Sequence, residues 1–550
     1  VLCYSYDGDL YTLKPGSQPS KVNVAITQDD MQRSVIRSIS TSGASQVSVS
    51  PEGKEIAFIM NGDVYVTSAD YKTTKQITDT PERERTVDFA PDGRSLVYAS
   101  ERDGKWQIYQ ATIADKDDKN FTYCKEVKEE RLTGGTYTSF QPEYNPKGKE
   151  VAFLKNRTEL CVIDLKTKKV RTVMDGKYQY SYTDGDQTYA WSPDGKWLLS
   201  EYIGIGGWNN KDIALVKADG SGEIHNLTNS GYSDGSPRWV LGGKAMIFQS
   251  DRAGYRSHGS WGAENDVYIT FFDRDAYDRF RMNKEETALL EEKEKAEKEE
   301  KDKKESEKEK GKKDKKDKKK SSSEEDKDKK DKEEVEDLKF DLSSIQEWTV
   351  RLTPYSASIG DAVLNKKGDK LYYVAPHEGK PALWEQNLKE HTNSLKLEGM
   401  SWAYLDLSKD VENAYFTAGG QIKKLKFDEG KITGISFEAF RTERPEALRK
   451  YLFDHIWNQT KEKLYDPGMN GADWDLMYTS YSKFLPHLYG NQDFAEMASE
   501  MLGELNVSHT GCRYRGPGAT LSVASLAAFF DTEYKGDGLK VKELIKGSPL

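Results

Sequence analysis

The sequence predicts a mainly β fold, a β-propeller of about seven blades followed by a small α/β core region, and three observations carry that prediction. A Pro-x-Gly turn recurs at blade-sized intervals, the units it marks are all strand, and near Arg441 the hydrophobic period lengthens to that of a helix. The chain has 550 residues, 36% of them hydrophobic, which is too long for one ordinary core. No run approaches the ~18 uninterrupted apolar residues that a spanning helix needs, so no membrane insertion is expected.

The chain opens on Tyr4-Ser5-Tyr6-Asp7-Gly8-Asp9-Leu10-Tyr11, which reads as strand and turn and not as a signal peptide. Such a start reads as a piece of a longer protein. Residues 1–40 are expected to be either the end of a preceding propeller or strands that close this one.

The repeat occupies 41–440. Ser50-Pro51-Glu52-Gly53, Ala90-Pro91-Asp92-Gly93, Asn145-Pro146-Lys147-Gly148 and Ser192-Pro193-Asp194-Gly195 place their prolines 40, 55 and 47 residues apart. Proline presets φ and glycine takes the positive-φ position, so each tetrapeptide predicts a tight hairpin turn. A short apolar strand follows each, as in Ile56-Ala57-Phe58-Ile59 and Val151-Ala152-Phe153-Leu154. Weaker copies sit at Leu241-Gly242-Gly243, Lys367-Gly368-Asp369 and Leu407-Ser408, which makes seven. Four-stranded sheets repeated around an axis bury each other's faces, which is how strands this short become stable together.

Within the repeat, 283–337 is a charged insert. From Glu291 to Asp337 there are 19 Lys and 21 Asp or Glu in 47 residues, with Val335 the only sizeable apolar side chain. Nothing there can be buried to offset ordering entropy, so a disordered or frayed, solvated segment is expected. Its charge is balanced, and the whole chain carries a net charge of −10, which argues against a nucleic-acid partner. The cysteines Cys3, Cys124, Cys161 and Cys512 show no paired metal spacing and are read as ordinary thiols. The isolated His225, His258, His377, His391, His455 and His487 likewise predict no metal, and no cofactor is implied.

Over 441–520 helices are expected. Leu448, Leu452 and Ile456 stand at helical spacing, as do Ala495, Met497, Met501 and Leu502 in a segment opened by Asn491. The loop Asn470-Gly471-Ala472-Asp473-Trp474 leads into a helix bearing Tyr478, Tyr481 and Phe484, and the last helix runs into Gly503-Glu504-Leu505-Asn506-Val507-Ser508-His509-Thr510.

These two stretches, in this order behind a propeller with a Lys/Glu-rich insert, closely resemble the tricorn proteases, especially their bacterial homologues. The resemblance covers nearly the whole chain. It implies a serine peptidase that degrades oligopeptides, with His509 as general base, Ser508 as the hydroxyl that orients it, and a propeller that gates or channels peptide substrates. Residues 521–550, with Leu526-Ala527-Ala528-Phe529-Phe530-Asp531 and Gly538-Leu539-Lys540-Val541, look like the start of a PDZ domain. In the family the nucleophilic serine and its supporting glutamate lie beyond that domain, so these 550 residues are expected to be inactive alone. The resemblance leaves a homo-oligomer open, and it leaves the compartment as the cytoplasm, or the bacterial periplasm where an export signal precedes Val1.

Three rival readings stand beside this one. Gly231-Tyr232-Ser233-Asp234-Gly235 matches the Gly-x-Ser-x-Gly elbow, but that motif needs a strand before it and a helix after, and here it sits inside the blade repeat and reads as an inter-blade turn. Cys512, three residues from His509, is a poor nucleophile candidate beside the turn-forming Gly511. The competing reading of the whole is a non-enzymatic propeller scaffold that binds protein partners.

Overall fold

The computed structural model describes residues 1–6, 8–25, 35–181, 183–256, 262–297, 336–400, 402–516 and 526–549. The chain divides into two compact units, 35–451 and, together, 1–34 with 452–550.

In the larger unit each Pro-x-Gly turn folds as its residues demand. Gly53 N donates to Ser50 O at 2.8 Å, Ser50 N donates to Glu55 O at 2.9 Å, and Gly53 stands at φ +69°. The same pair of bonds closes the turns at Ala90, Asn145, Ser192, Asn365 and Ser408. In the last of these Val411 takes the left-handed place at φ +57°, a conformation that a β-branched residue adopts at a cost.

The turns join first and second strands of seven four-stranded antiparallel sheets, each a simple meander. Their first strands are Ala44–Val49, Glu84–Phe89, Ser139–Tyr144, Tyr189–Trp191, Asp234–Val240, Ala362–Leu364 and Asp406–Leu407. Second strands such as Glu55–Met60, Ser95–Ser100 and Ala245–Ser250 are buried along their whole length, because a neighbouring sheet covers each face. This explains the near-continuous apolar runs behind the turns.

The sheets form a closed ring. Shared apolar clusters link the first sheet to the second, the second through the third to the fourth, and so on to the sixth and seventh. The seventh then packs on the first, with Tyr415 and Ile422 against Phe58 and Tyr65. Val49 N donates to Asp406 Oδ2 at 2.8 Å across the same junction. Residues Ile36–Ser40 pair antiparallel with Ala439–Glu443. Ile36–Ser40 belongs to the segment 1–40, expected from sequence to hold the end of a preceding propeller or closing strands; Leu2–Tyr6, Asp9–Leu13 and Ser20–Lys21 of that segment form a three-stranded sheet in the smaller unit.

The charged insert leaves the fifth sheet between Asp266–Phe271 and Thr349–Arg351. Ahead of it stands helix Arg274–Arg281, N-capped by Asp273, whose carboxylate accepts from Ala276 N. Residues 298–335, the greater part of the insert, lie outside the described residues.

The smaller unit takes the later turns of helix Pro445–Lys463, then Trp474–Ser482 and Asn491–Gly503. Their core is Phe453, Met469, Trp474, Phe494, Met497, Ala498, Met501 and Leu505. On the first helix the deepest side chain is Phe453, fully buried, whereas Leu452 and Ile456 are half-buried and Leu448 is exposed. Farther on, Ala528–Phe530 pairs antiparallel with Val541–Leu544, in the segment read as the start of a PDZ domain.

Candidate functional site

The last helix of the smaller unit ends at Gly503, and its final carbonyls are met by the residues that follow: Glu504 N donates to Met501 O at 3.3 Å and Asn506 N to Gly503 O at 3.0 Å. Leu505 is driven inward, 1% exposed, and fixes the start of the following loop in the apolar core. Asn470 holds the loop beyond the helix: its Nδ2 donates to Leu505 O at 2.9 Å and to Asn506 O at 3.2 Å. The loop then turns through two left-handed residues, Asn506 at φ +50° and His509 at φ +64°. Half-buried Val507 packs against the core between them.

This path leaves Ser508 and His509 exposed, with Ser508 Oγ 2.6 Å from His509 Nδ1. When Nδ1–H donates to that oxygen, the lone pair of Nε2 is left as the basic site of the ring. The two residues named from sequence are therefore hydrogen-bonded to each other. A left-handed φ on a non-glycine residue is the sort of strain that collects at functional sites.

The rivals fare differently. Ser233 precedes the strand Asp234–Val240 and no helix, its Oγ donates to Asn209 O at 2.9 Å, and its N donates to Asp251 Oδ1 at 3.0 Å. It is a turn residue between the fourth and fifth sheets. Cys512 is half-buried in the helical core, and burial pushes its thiol above the ordinary range, the opposite of what a nucleophilic thiolate requires. All four cysteines are free thiols. His258 lies outside the described residues. Among the described residues no group of three or more His, Cys, Asp or Glu is placed to hold a metal, and no helix is long and apolar enough to cross a membrane.

Sequence reasoning passed over a second feature, the charged groups carried by first strands of the propeller. Asp88 Oδ2 accepts from Tyr144 N at 2.8 Å, so the second and third sheets are tied by a carboxylate. Arg238 reaches Asp361 in a two-pronged pair at 3.2 and 2.7 Å, and Asp361 Oδ2 also accepts from Leu405 N at 2.7 Å, which ties the fifth, sixth and seventh. Burial, with Asp88 as the next cause, pushes the Glu143 carboxyl up to about 8. Burial also raises Asp406 to about 7 and Asp88 to about 6, against the hydrogen bonds from Val49 N and from Tyr144 N. A signal existed: Ser48, Asp88 and Glu143 each stand three residues before the proline of their turn.

Comparison with known proteins places this arrangement. Residues 445–503 match the Tricorn protease C1 domain. The Tol-Pal system protein TolB of Francisella tularensis subsp. tularensis is 24% identical over 206 residues, 36% of this chain and 43% of its own length. Putative tricorn protease homolog 2 of Streptomyces coelicolor is 26% identical over 161 residues, 28% of this chain and 13% of that protein. Tricorn protease homolog 1 of the same organism is 25% identical over 122 residues, 20% of this chain and 11% of its own. The chain thus spans less than half the length of these curated relatives. The crystal structure of the tricorn protease superposes with a TM-score of 0.68 over 98% of this chain and 48% of that one, at 13% identity, which shows a shared fold. With the C1 match ending six residues before His509 and the fold shared along nearly its whole length, the chain is a tricorn-like protein.

Proposed function

We propose that the protein is a serine-type peptidase that degrades oligopeptides, with His509 as its general base, Ser508 as the hydroxyl that orients the imidazole, and the propeller as the gate or channel for peptides. The observation that carries this reading is the Ser508 Oγ to His509 Nδ1 contact at 2.6 Å, directly behind the Tricorn protease C1 match. A serine hydroxyl is a weak nucleophile at neutral pH until an imidazole takes its proton, and the imidazole must be held in one tautomer to do so. In such sites the nucleophile meets Nε2 and the orienting group meets Nδ1. Ser508 occupies the Nδ1 side, so its place is that of the orienting group and not of the nucleophile.

The nucleophilic serine and a supporting glutamate are assigned to parts of the protein outside these 550 residues, as are the remaining strands of a PDZ domain begun at 521. On this reading the 550 residues alone do not turn over peptides. The test is turnover of short fluorogenic oligopeptides by the whole protein that carries this chain. His509→Ala is expected to lower kcat by at least about three powers of ten with unfolding behaviour unchanged. Equal rates in the two proteins, or no turnover by either, would overturn the reading and leave a propeller scaffold.

A further inference from the structure

The loop that presents Ser508 and His509 is held at its root by a side chain 36 residues earlier in the chain. Asn470 sits in the stretch Pro467-Gly468-Met469-Asn470-Gly471, which is itself tightly pinned. Asp466 Oδ1 accepts from Gly468 N and its Oδ2 from Asn470 N, both at 2.9 Å. Met469, at 6% exposure, plugs this turn into the helical core. The backbone of Met469, Asn470 and Gly471 is left-handed throughout, at φ +53°, +52° and +82°. Asparagine tolerates that region better than most residues with a side chain, and its amide is short enough to turn back on nearby backbone.

The amide's two N–H groups both go to the catalytic loop, to Leu505 O and to Asn506 O. Those carbonyls lie two and three residues beyond the end of Asn491–Gly503, so Asn470 holds the loop that follows the helix from another part of the fold. Asn506 is left-handed and three residues from His509, itself left-handed, so the direction in which the loop leaves Asn506 sets where the imidazole arrives.

We propose that Asn470 is a positioning residue for the reaction, fixing the loop from Leu505 to His509 so that the Ser508–His509 contact forms and the imidazole faces its partner; this rests on the reading of His509 as the base. Asparagine is required for its two donors. Aspartate at this site would set a carboxylate against two carbonyl oxygens with no change of volume, and alanine would leave both carbonyls without that donor.

The test has two arms that separate this inference from the reading it rests on. In the whole protein, Asn470→Ala and Asn470→Asp are expected to lower kcat by about 10- to 100-fold, a displacement of the base of about 1 Å, with KM unchanged. In the 550-residue chain, ¹⁵N spectra of the histidines are expected to show His509 held with its proton on Nδ1, and both variants are expected to return the ring to the tautomer mixture of free imidazole. Trp457→Phe controls for general loosening. It removes the 2.8 Å bond from Trp457 Nε1 to Trp474 O in the same core without touching the loop, and should lower the melting temperature with His509's tautomer preserved. Loss of kcat in His509→Ala with none in the Asn470 variants would overturn the positioning role and leave the base assignment standing. Unchanged His509 spectra in Asn470 variants that merely melt earlier would overturn it too. Full activity in His509→Ala would remove both.

Discussion

Replacing Glu143 by glutamine should stabilise the propeller, and more so as the pH rises. The carboxyl is half-buried on the first strand of the third sheet, and burial and Asp88 raise it to about 8 from an ordinary 4.5. A carboxyl whose folded value is raised binds more protons in the folded state than in the unfolded chain, so stability falls as pH climbs from the unfolded value towards the folded one. Below about pH 4 both states are protonated and Glu143 costs nothing. At pH 8, where the folded carboxyl is half ionised, its rise from 4.5 to about 8, at about 1.36 kcal/mol for each pH unit, sets an upper bound of about 4 kcal/mol. Partial access of water to the group brings the expected gain from Glu143→Gln to about 2 kcal/mol at pH 8 and to well under 1 kcal/mol near pH 4.5. At about 2 cal/mol/K per residue, a unit spanning 35–451 should then melt about 2 °C higher at pH 8. The assay is thermal and urea unfolding of wild type and variant between pH 4.5 and 8.5. A difference that is constant with pH, or a variant less stable at pH 8, would refute the argument.

Two further substitutions probe the ties and the core. Asp361→Asn leaves Arg238 without its two-pronged partner at a site where Asp361 is 3% exposed, and should destabilise the propeller by about 3 kcal/mol in urea unfolding; a loss under 1 kcal/mol would show that the pair does not brace the fifth to seventh sheets. Phe453→Ala empties the centre of the helical core and should cost about 3–5 kcal/mol, read as loss of near-ultraviolet dichroism from Trp457 and Trp474 at lower temperature than in wild type, whereas an unchanged melt would contradict the packing described.

Much of the propeller was legible because its turns are chemically explicit. A proline that presets φ and a glycine that accepts positive φ leave a signature at each hairpin, and the strand behind it must be apolar on both faces once sheets stack. The seventh repeat was faint because Val411 holds by strain the place that glycine holds in the others. The helical region was harder. Spacing pointed to Leu448, Leu452 and Ile456, yet the first turns of Pro445–Lys463 serve the larger unit, where Tyr451 OH donates to Glu101 Oε2 at 2.7 Å, and only the later turns build the smaller core around Phe453. One helix with two environments shows no single stripe.

At the candidate site, Ser508 and His509 are neighbours in sequence, so a family motif could name them together. Their contact at 2.6 Å depends on a loop path that no local pattern reveals. Asn470 was visible only as part of a quoted stretch, since its tie to Leu505 and Asn506 spans 35 and 36 residues and follows from how the helices pack. The charges on the first strands stayed hidden for a related reason: a polar residue at a fixed offset from a turn carries no meaning until ring closure sets those strands side by side.

The most direct measurement is to inactivate the whole protein with a peptidyl chloromethyl ketone and map the alkylated residue by mass spectrometry. Such a reagent binds as a substrate would, and the base nitrogen displaces its chloride to form a stable carbon–nitrogen bond. The account expects one equivalent of adduct on the peptide containing His509, rising in step with the loss of peptidase activity and absent from His509→Ala. Complete inactivation with His509 unmodified would contradict it.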